Sequence, residues 1–190
     1  MNRFLKGAIS GAAGVVLLLG GAGSFALWNG TASAAAGTVQ SGTMTIAKTP
    51  GSAPAWTVTH GGVTTPISSI DAFRIVPGDT LTLTQKVDIS ASGDNLSAIL
   101  SLDPSSIAIG GNAASSELAS ALARTATMTI PGTLPAGLST GPAPYSYKVT
   151  GALGTKTVTI VLSAPFDATG TAAQGGTIDL TKLAFKLAQQ

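Results

Sequence analysis

Hydrophobic and polar positions alternate along much of the chain. Leu81, Leu83, Val87 and Ile89 fall on one side of an extended segment, and Thr80, Thr82, Thr84, Lys86 and Asp88 fall on the other. Gln85 is the polar exception on the apolar side. Successive side chains of a strand point to opposite faces, so a repeat of two predicts a half-buried strand rather than a helix. Val158, Ile160 and Leu162 repeat the arrangement against Thr157 and Thr159. Near the end Ile178 and Leu180 alternate, and Leu183, Phe185 and Leu187 continue on the opposite parity. A bulge around Thr181 and Lys182 would reconcile the two halves. Further strands are predicted at 43–48, 55–60, 72–75, 98–102, 107–109, 125–130 and 145–150.

Turn chemistry separates these runs: Pro77-Gly78-Asp79, Ser92-Gly93-Asp94-Asn95, Gly110-Gly111-Asn112, Pro131-Gly132 and Gly175-Gly176. Threonine fills many outward positions, where its branched side chain suits a pleated surface without adding charge. One helix interrupts the pattern at 117–124, capped by Ser115 or Ser116, with Leu118 and Leu122 one turn apart and Glu117 favouring its start. The stretch 132–144 is rich in Pro and Gly and reads as a long exposed loop. The fold class is therefore all-β, an antiparallel β-sandwich or jelly roll with one short helix, preceded by an N-terminal signal helix.

The first 26 residues have the layout of an export signal. Arg3 and Lys6 precede an uncharged stretch centred on Val15-Val16-Leu17-Leu18-Leu19, and Ser24 and Ala26 place small residues before a cut that frees Leu27. A retained membrane anchor is the alternative, because the apolar stretch is about the ~20 residues that a span needs. The expected division is a signal peptide at 1–26 and a single domain at 27–190. The membrane is then met only through the signal segment, and the mature protein is expected to be secreted or at the cell surface.

Composition narrows the chemistry. Only 9% of the 190 residues are charged, and there is no Cys. Disulfides, thiolate metal sites and a cysteine nucleophile are thereby excluded. Mean hydropathy is +0.41 and the isoelectric point about 9.1. Past the signal, cations and anions balance, which removes the long-range attraction to phosphate that nucleic-acid binding uses. His60, the single His, sits beside Gly61-Gly62 and reads as a surface residue at a hairpin tip. A hydrolase would need it next to a Ser and an Asp, and no Gly-x-Ser-x-Gly elbow is present. Neither paired helical histidines nor a calcium-loop run of aspartates occurs, so no metal, cofactor or catalytic residue is assigned.

The stretch from Gly20 to Asn29, followed by Ser41-Gly42-Thr43-Met44-Thr45-Ile46, resembles the start of the alternate-type, SipW-dependent signal peptide proteins, the TasA and camelysin family, in its actinobacterial exported branch. Phe73-Arg74-Ile75-Val76-Pro77-Gly78-Asp79, leading into Thr80-Leu81-Thr82, is similar to that family's Pro-Gly-Asp turn before a long strand. The resemblance implies a dedicated signal peptidase, export and a jelly-roll domain. It also implies fibres of the extracellular matrix or biofilm, in which the N-terminal strand of one subunit completes the sheet of the next. The chain is shorter and much less charged than TasA, and the protease role given to camelysin relatives has no metal site here.

The expected function is a secreted, non-enzymatic structural protein that self-associates. Residues 27–46 form the exchangeable segment, with Trp28, Thr38, Val39, Thr43, Met44 and Ile46 as its assembly residues. The alternative is an extracellular adhesin for glycan or cell-wall polymer, which would require Trp56, Tyr145 and Tyr147 to cluster.

Overall fold

A computed structural model of the chain describes residues 38–143, 145–151 and 153–190. The chain divides into two units, Met1–Val39 and Gln40–Gln190. Of the first, only Thr38 and Val39 are described, and both are outside regular structure. The expected signal helix, the cut at Ser24, Ala26 and Leu27, and Trp28 lie outside the described residues. Among the described residues, no helix is long and apolar enough to cross a membrane.

The second unit is built on one long strand. β4 (Thr80–Ser92) alternates without interruption, and Leu81, Leu83, Gln85, Val87, Ile89 and Ala91 are all buried. Gln85 is accommodated because its amide donates to the Lys86 carbonyl at 2.8 Å, which meets the cost of burying a polar group. β10 (Gly154–Pro165) pairs with β4 along its whole length. Beyond β10 lies the short β7 (Thr127–Thr129). The opposite edge of β4 is shared end to end. β1 (Thr43–Lys48) takes Val87–Ser92, and β2 (Ala55–His60) takes Thr80–Thr84. β3 (Val63–Ile67) closes a hairpin outside β2.

A second, four-stranded sheet has the order β12 (Phe185–Gln189), β5 (Ser97–Leu102), β9 (Ser146–Thr150), β8 (Leu138–Thr140). A small third pair joins β6 (Ala108–Ile109) to β11 (Ile178–Asp179). All ladders are antiparallel. The two larger sheets share one core: Val87, Ile89 and Ile160 from the first meet Ala98, Leu100 and Val149 from the second. Tyr147 lies in this core and its hydroxyl accepts from the Ile130 amide at 2.7 Å. The chain is thus mostly β, with antiparallel sheets and a single described α-helix, as the alternation implies.

Several expectations are corrected. The helix, α1, runs over Ala113–Thr125, and its cap is Asn112, not Ser115 or Ser116. Asn112 Oδ1 accepts from the Ser115 amide at 2.8 Å, the usual way an N-cap satisfies a free helix donor. Glu117 is therefore beyond the first turn. Ser115 is instead fully buried, donating to Asn112 and accepting at 2.9 Å from the amide of Thr177, which ties α1 to the residue just before the strand Ile178–Asp179.

Residues 72–75 form no strand, because a turn brings the Phe73 amide to the Ile70 carbonyl. The strand expected from 125 starts at Thr127, since Thr125 is still helical and its hydroxyl donates back to the Ala121 carbonyl. No bulge joins the two C-terminal runs. A turn, closed by the Leu183 amide on the Leu180 carbonyl, separates β11 and β12, which belong to different sheets. The stretch after Pro131 is not all exposed loop: β8 lies within it and Leu138 is buried.

Candidate functional site

Three places in the domain hold the residues singled out in the sequence. The first is the β1 edge. Thr43, Met44 and Ile46 all lie on β1 and pair with Ser92, Ala91 and Ile89, respectively. Met44 and Ile46 are half-buried against the core, and no residue of β1 is fully buried. The Thr43 amide donates to Ser92 Oγ at 3.0 Å. Gly42 has a specific reason to be Gly: a Cβ there would overlap the Ser92 backbone oxygen. The Ser-Gly-Thr motif is thus the point where the chain passes close beside the end of β4. Among the described residues β1 pairs on one side only, with β4, and an edge strand's outer N–H and C=O groups are a template for another strand.

The second place is the tip of the β2–β3 hairpin. His60 and Val63 pair across Gly61 and Gly62, both with positive φ (56° and 82°), as a two-residue primed turn requires. The His60 ring is 61% exposed but not alone in solvent. Its Nδ1 lies 2.7 Å from Oδ1 of Asp79, whose side chain is only 6% exposed. Asp79 Oδ2 accepts from the Val76 amide at 2.9 Å. The same residue closes the Val76–Asp79 turn, where Gly78 takes φ 93°. Its carbonyl accepts from the Phe166 amide at 2.7 Å. The Pro-Gly-Asp motif therefore locks the start of β4 to the end of β10. Among the described residues no serine hydroxyl is hydrogen-bonded to His60.

The third place is where the aromatics were expected to gather. Tyr147 is in the core and does not join the others. Trp56 and Tyr145 do share a site: both line a cavity of about 480 Å³ at the α1 end of the two sheets. This cavity was not legible in the sequence, because its walls come from strands, helix and loops far apart along the chain. A second hollow of about 670 Å³ shares Leu81, Leu122, Ile178 and Leu180 with it and carries Asp71, Arg74 and Asp179.

Electrostatically the surface is sparse. Hydrogen bonds from the hydroxyls of Thr157 and Thr49 hold the Asp88 carboxyl below the usual carboxylate range. Ser105 does the same for Asp103, and Thr181 for Asp179. Among the described residues no three of His, Asp and Glu gather as a metal ion would need. Comparison of the chain with protein-family models, with curated proteins and with solved structures finds no match.

Proposed function

We propose that this chain is an exported, non-enzymatic structural protein of the cell surface or extracellular matrix, and that its copies assemble by exchanging the N-terminal strand. The observation that carries this reading is the β1 edge. β1 is held to the domain by a six-residue ladder, contributes no fully buried side chain and, among the described residues, has no strand on its outer side. Its departure uncovers Val87–Ser92 of β4, and a second copy's β1 carries the same residues to fill that gap. Main-chain bonds supply the affinity in such strand addition, while Met44 and Ile46 fix the register by entering the core. The leader layout and the Ser-Gly-Thr start, which resemble the alternate-type signal peptide proteins, support export by a dedicated signal peptidase.

A jelly-roll arrangement is part of the same proposal. In its support, the chain crosses between the sheets from β4 to β5 and again from β9 to β10. β1 departs from a simple two-sheet pattern: it is bonded to β4 while packing beside β12 of the other sheet. A strand at such a seam serves either sheet.

Deleting residues 27–48 from the mature protein, which removes β1, is expected to abolish polymer seen by electron microscopy. A reversible version pairs Thr45→Cys with Ser90→Cys, directly opposite each other on β1 and β4. Opposed strand residues lie within disulfide reach, and the chain has no other Cys. Oxidised protein should stay monomeric and reduced protein should assemble. Equal assembly in both forms refutes exchange.

A further inference from the structure

We propose that the 480 Å³ cavity binds an uncharged single-chain amphiphile, a hydrocarbon chain ending in a hydroxyl. Protein interiors are normally packed with few voids larger than a water molecule. The centre of this domain obeys that rule, with Ile89, Leu100, Val149 and Ile160 fully buried. At the α1 end the same two sheets do not close. Leu162 from one sheet and Leu102 from the other stay only partly buried and, with Leu180 and Leu183, line an opening of small-molecule size. The unfilled apolar surface is concave, with walls from both sheets and from α1, and a neighbouring hollow of about 530 Å³ shares Trp56, Leu180 and Leu183 with it.

Chemistry selects the occupant. Among the described residues no charged side chain lines this cavity; Asp71, Arg74 and Asp179 line the adjoining hollow instead. A carboxylate or phosphate placed here would be desolvated without a partner, which is costly. The hydroxyls of Ser101, Ser120 and Tyr145 offer hydrogen bonds to a single polar end. The mouth is marked by two of the exposed large apolar side chains, Ile109 (52%) and Tyr145 (44%). Tyr145 is also the one non-glycine residue, among those described, with a left-handed backbone (φ 63°). For a bulky residue that conformation is strained, and such strain persists where the surroundings hold a side chain at a functional position. The site is distinct from the exchanged strand, because no residue of β1 lines it and β1 pairs with Val87–Ser92, away from Leu81.

The test uses the Trp28→Phe protein, in which Trp56 is the remaining tryptophan, titrated with 1-decanol. A saturable change in Trp56 emission is expected, with decanoate at neutral pH binding at least about tenfold more weakly. Ala119→Phe, which fills the cavity from α1, should abolish the response while circular dichroism stays unchanged. If that variant does not fold, Tyr145→Gly serves: glycine accepts the positive φ, and loss of the ring should weaken binding about tenfold. No saturable response to decanol overturns the proposal. So does decanoate binding as tightly as decanol, or full binding by a folded Ala119→Phe or Tyr145→Gly protein.

Discussion

Asp88 lies on the outer face of the first sheet, yet its carboxylate is bound by two threonine hydroxyls, Thr157 at 2.6 Å and Thr49 at 2.8 Å. These bonds favour the ionised form in the fold, so its pKa falls below the ordinary ~3.9. Asp103 and Asp179 are lowered in the same direction by Ser105 and Thr181. A depressed folded pKa gives stability that is present above the unfolded value and disappears as pH falls through the folded one. Thermal midpoints should therefore hold from neutral down to about pH 4 and decline below it, and Asp88→Asn should make the decline shallower. An unchanged slope in that variant would show that the threonine bonds do not favour the Asp88 carboxylate in the fold over the unfolded chain. Tyr147 gives a second test at this scale. Its hydroxyl is the partner of the buried Ile130 amide. Tyr147→Phe leaves that donor unmet and should cost about 1–3 kcal/mol by chemical denaturation.

At the scale of elements, the short pieces are decided by their ends. α1 starts at Asn112 because its side chain caps the Ser115 amide, and Asn112→Ala should cost about 1 kcal/mol with reduced helical signal. β1 is held at its entry by close passage of Gly42 against Ser92. Gly42→Val pushes the backbones apart, so amide hydrogen exchange in β1 should accelerate while β10 and residues 80–86 of β4 stay protected. Uniform protection would mean that β1 is not separately detachable. The long strands were legible from alternation alone, β4 and β10 above all. The hairpin tip at Gly61-Gly62 was legible, but its second strand, β3, was not predicted; its Pro66 is tolerated because β3 is an edge strand. β8 was hidden by the Pro and Gly residues around it, and only its pairing with β9 makes it a strand.

For the molecule as a whole, stability and assembly draw on different regions. The centre of the two-sheet core is tightly filled, so Ile160→Ala should destabilise by about 2–5 kcal/mol. The β1 edge and the α1-end cavity lie at opposite ends of β4, and changes in one should leave the other's behaviour intact. The disulfide-locked β1 variant should still bind decanol, and the Ala119→Phe variant should still assemble.

Residue order by itself determined that the domain is β-rich, which faces of β4 and β10 turn inward, where the main turns fall and that thiol chemistry is absent. Period-two patterning and Gly or Pro at turns are local signals, and a strand's two faces are set by its own residues. Only the tertiary structure decided which edges pair, that His60 meets Asp79, that Tyr147 leaves the other aromatics for the core, and that the sheets part near α1. Those outcomes depend on contacts between residues distant along the chain, for which a single sequence carries no local mark.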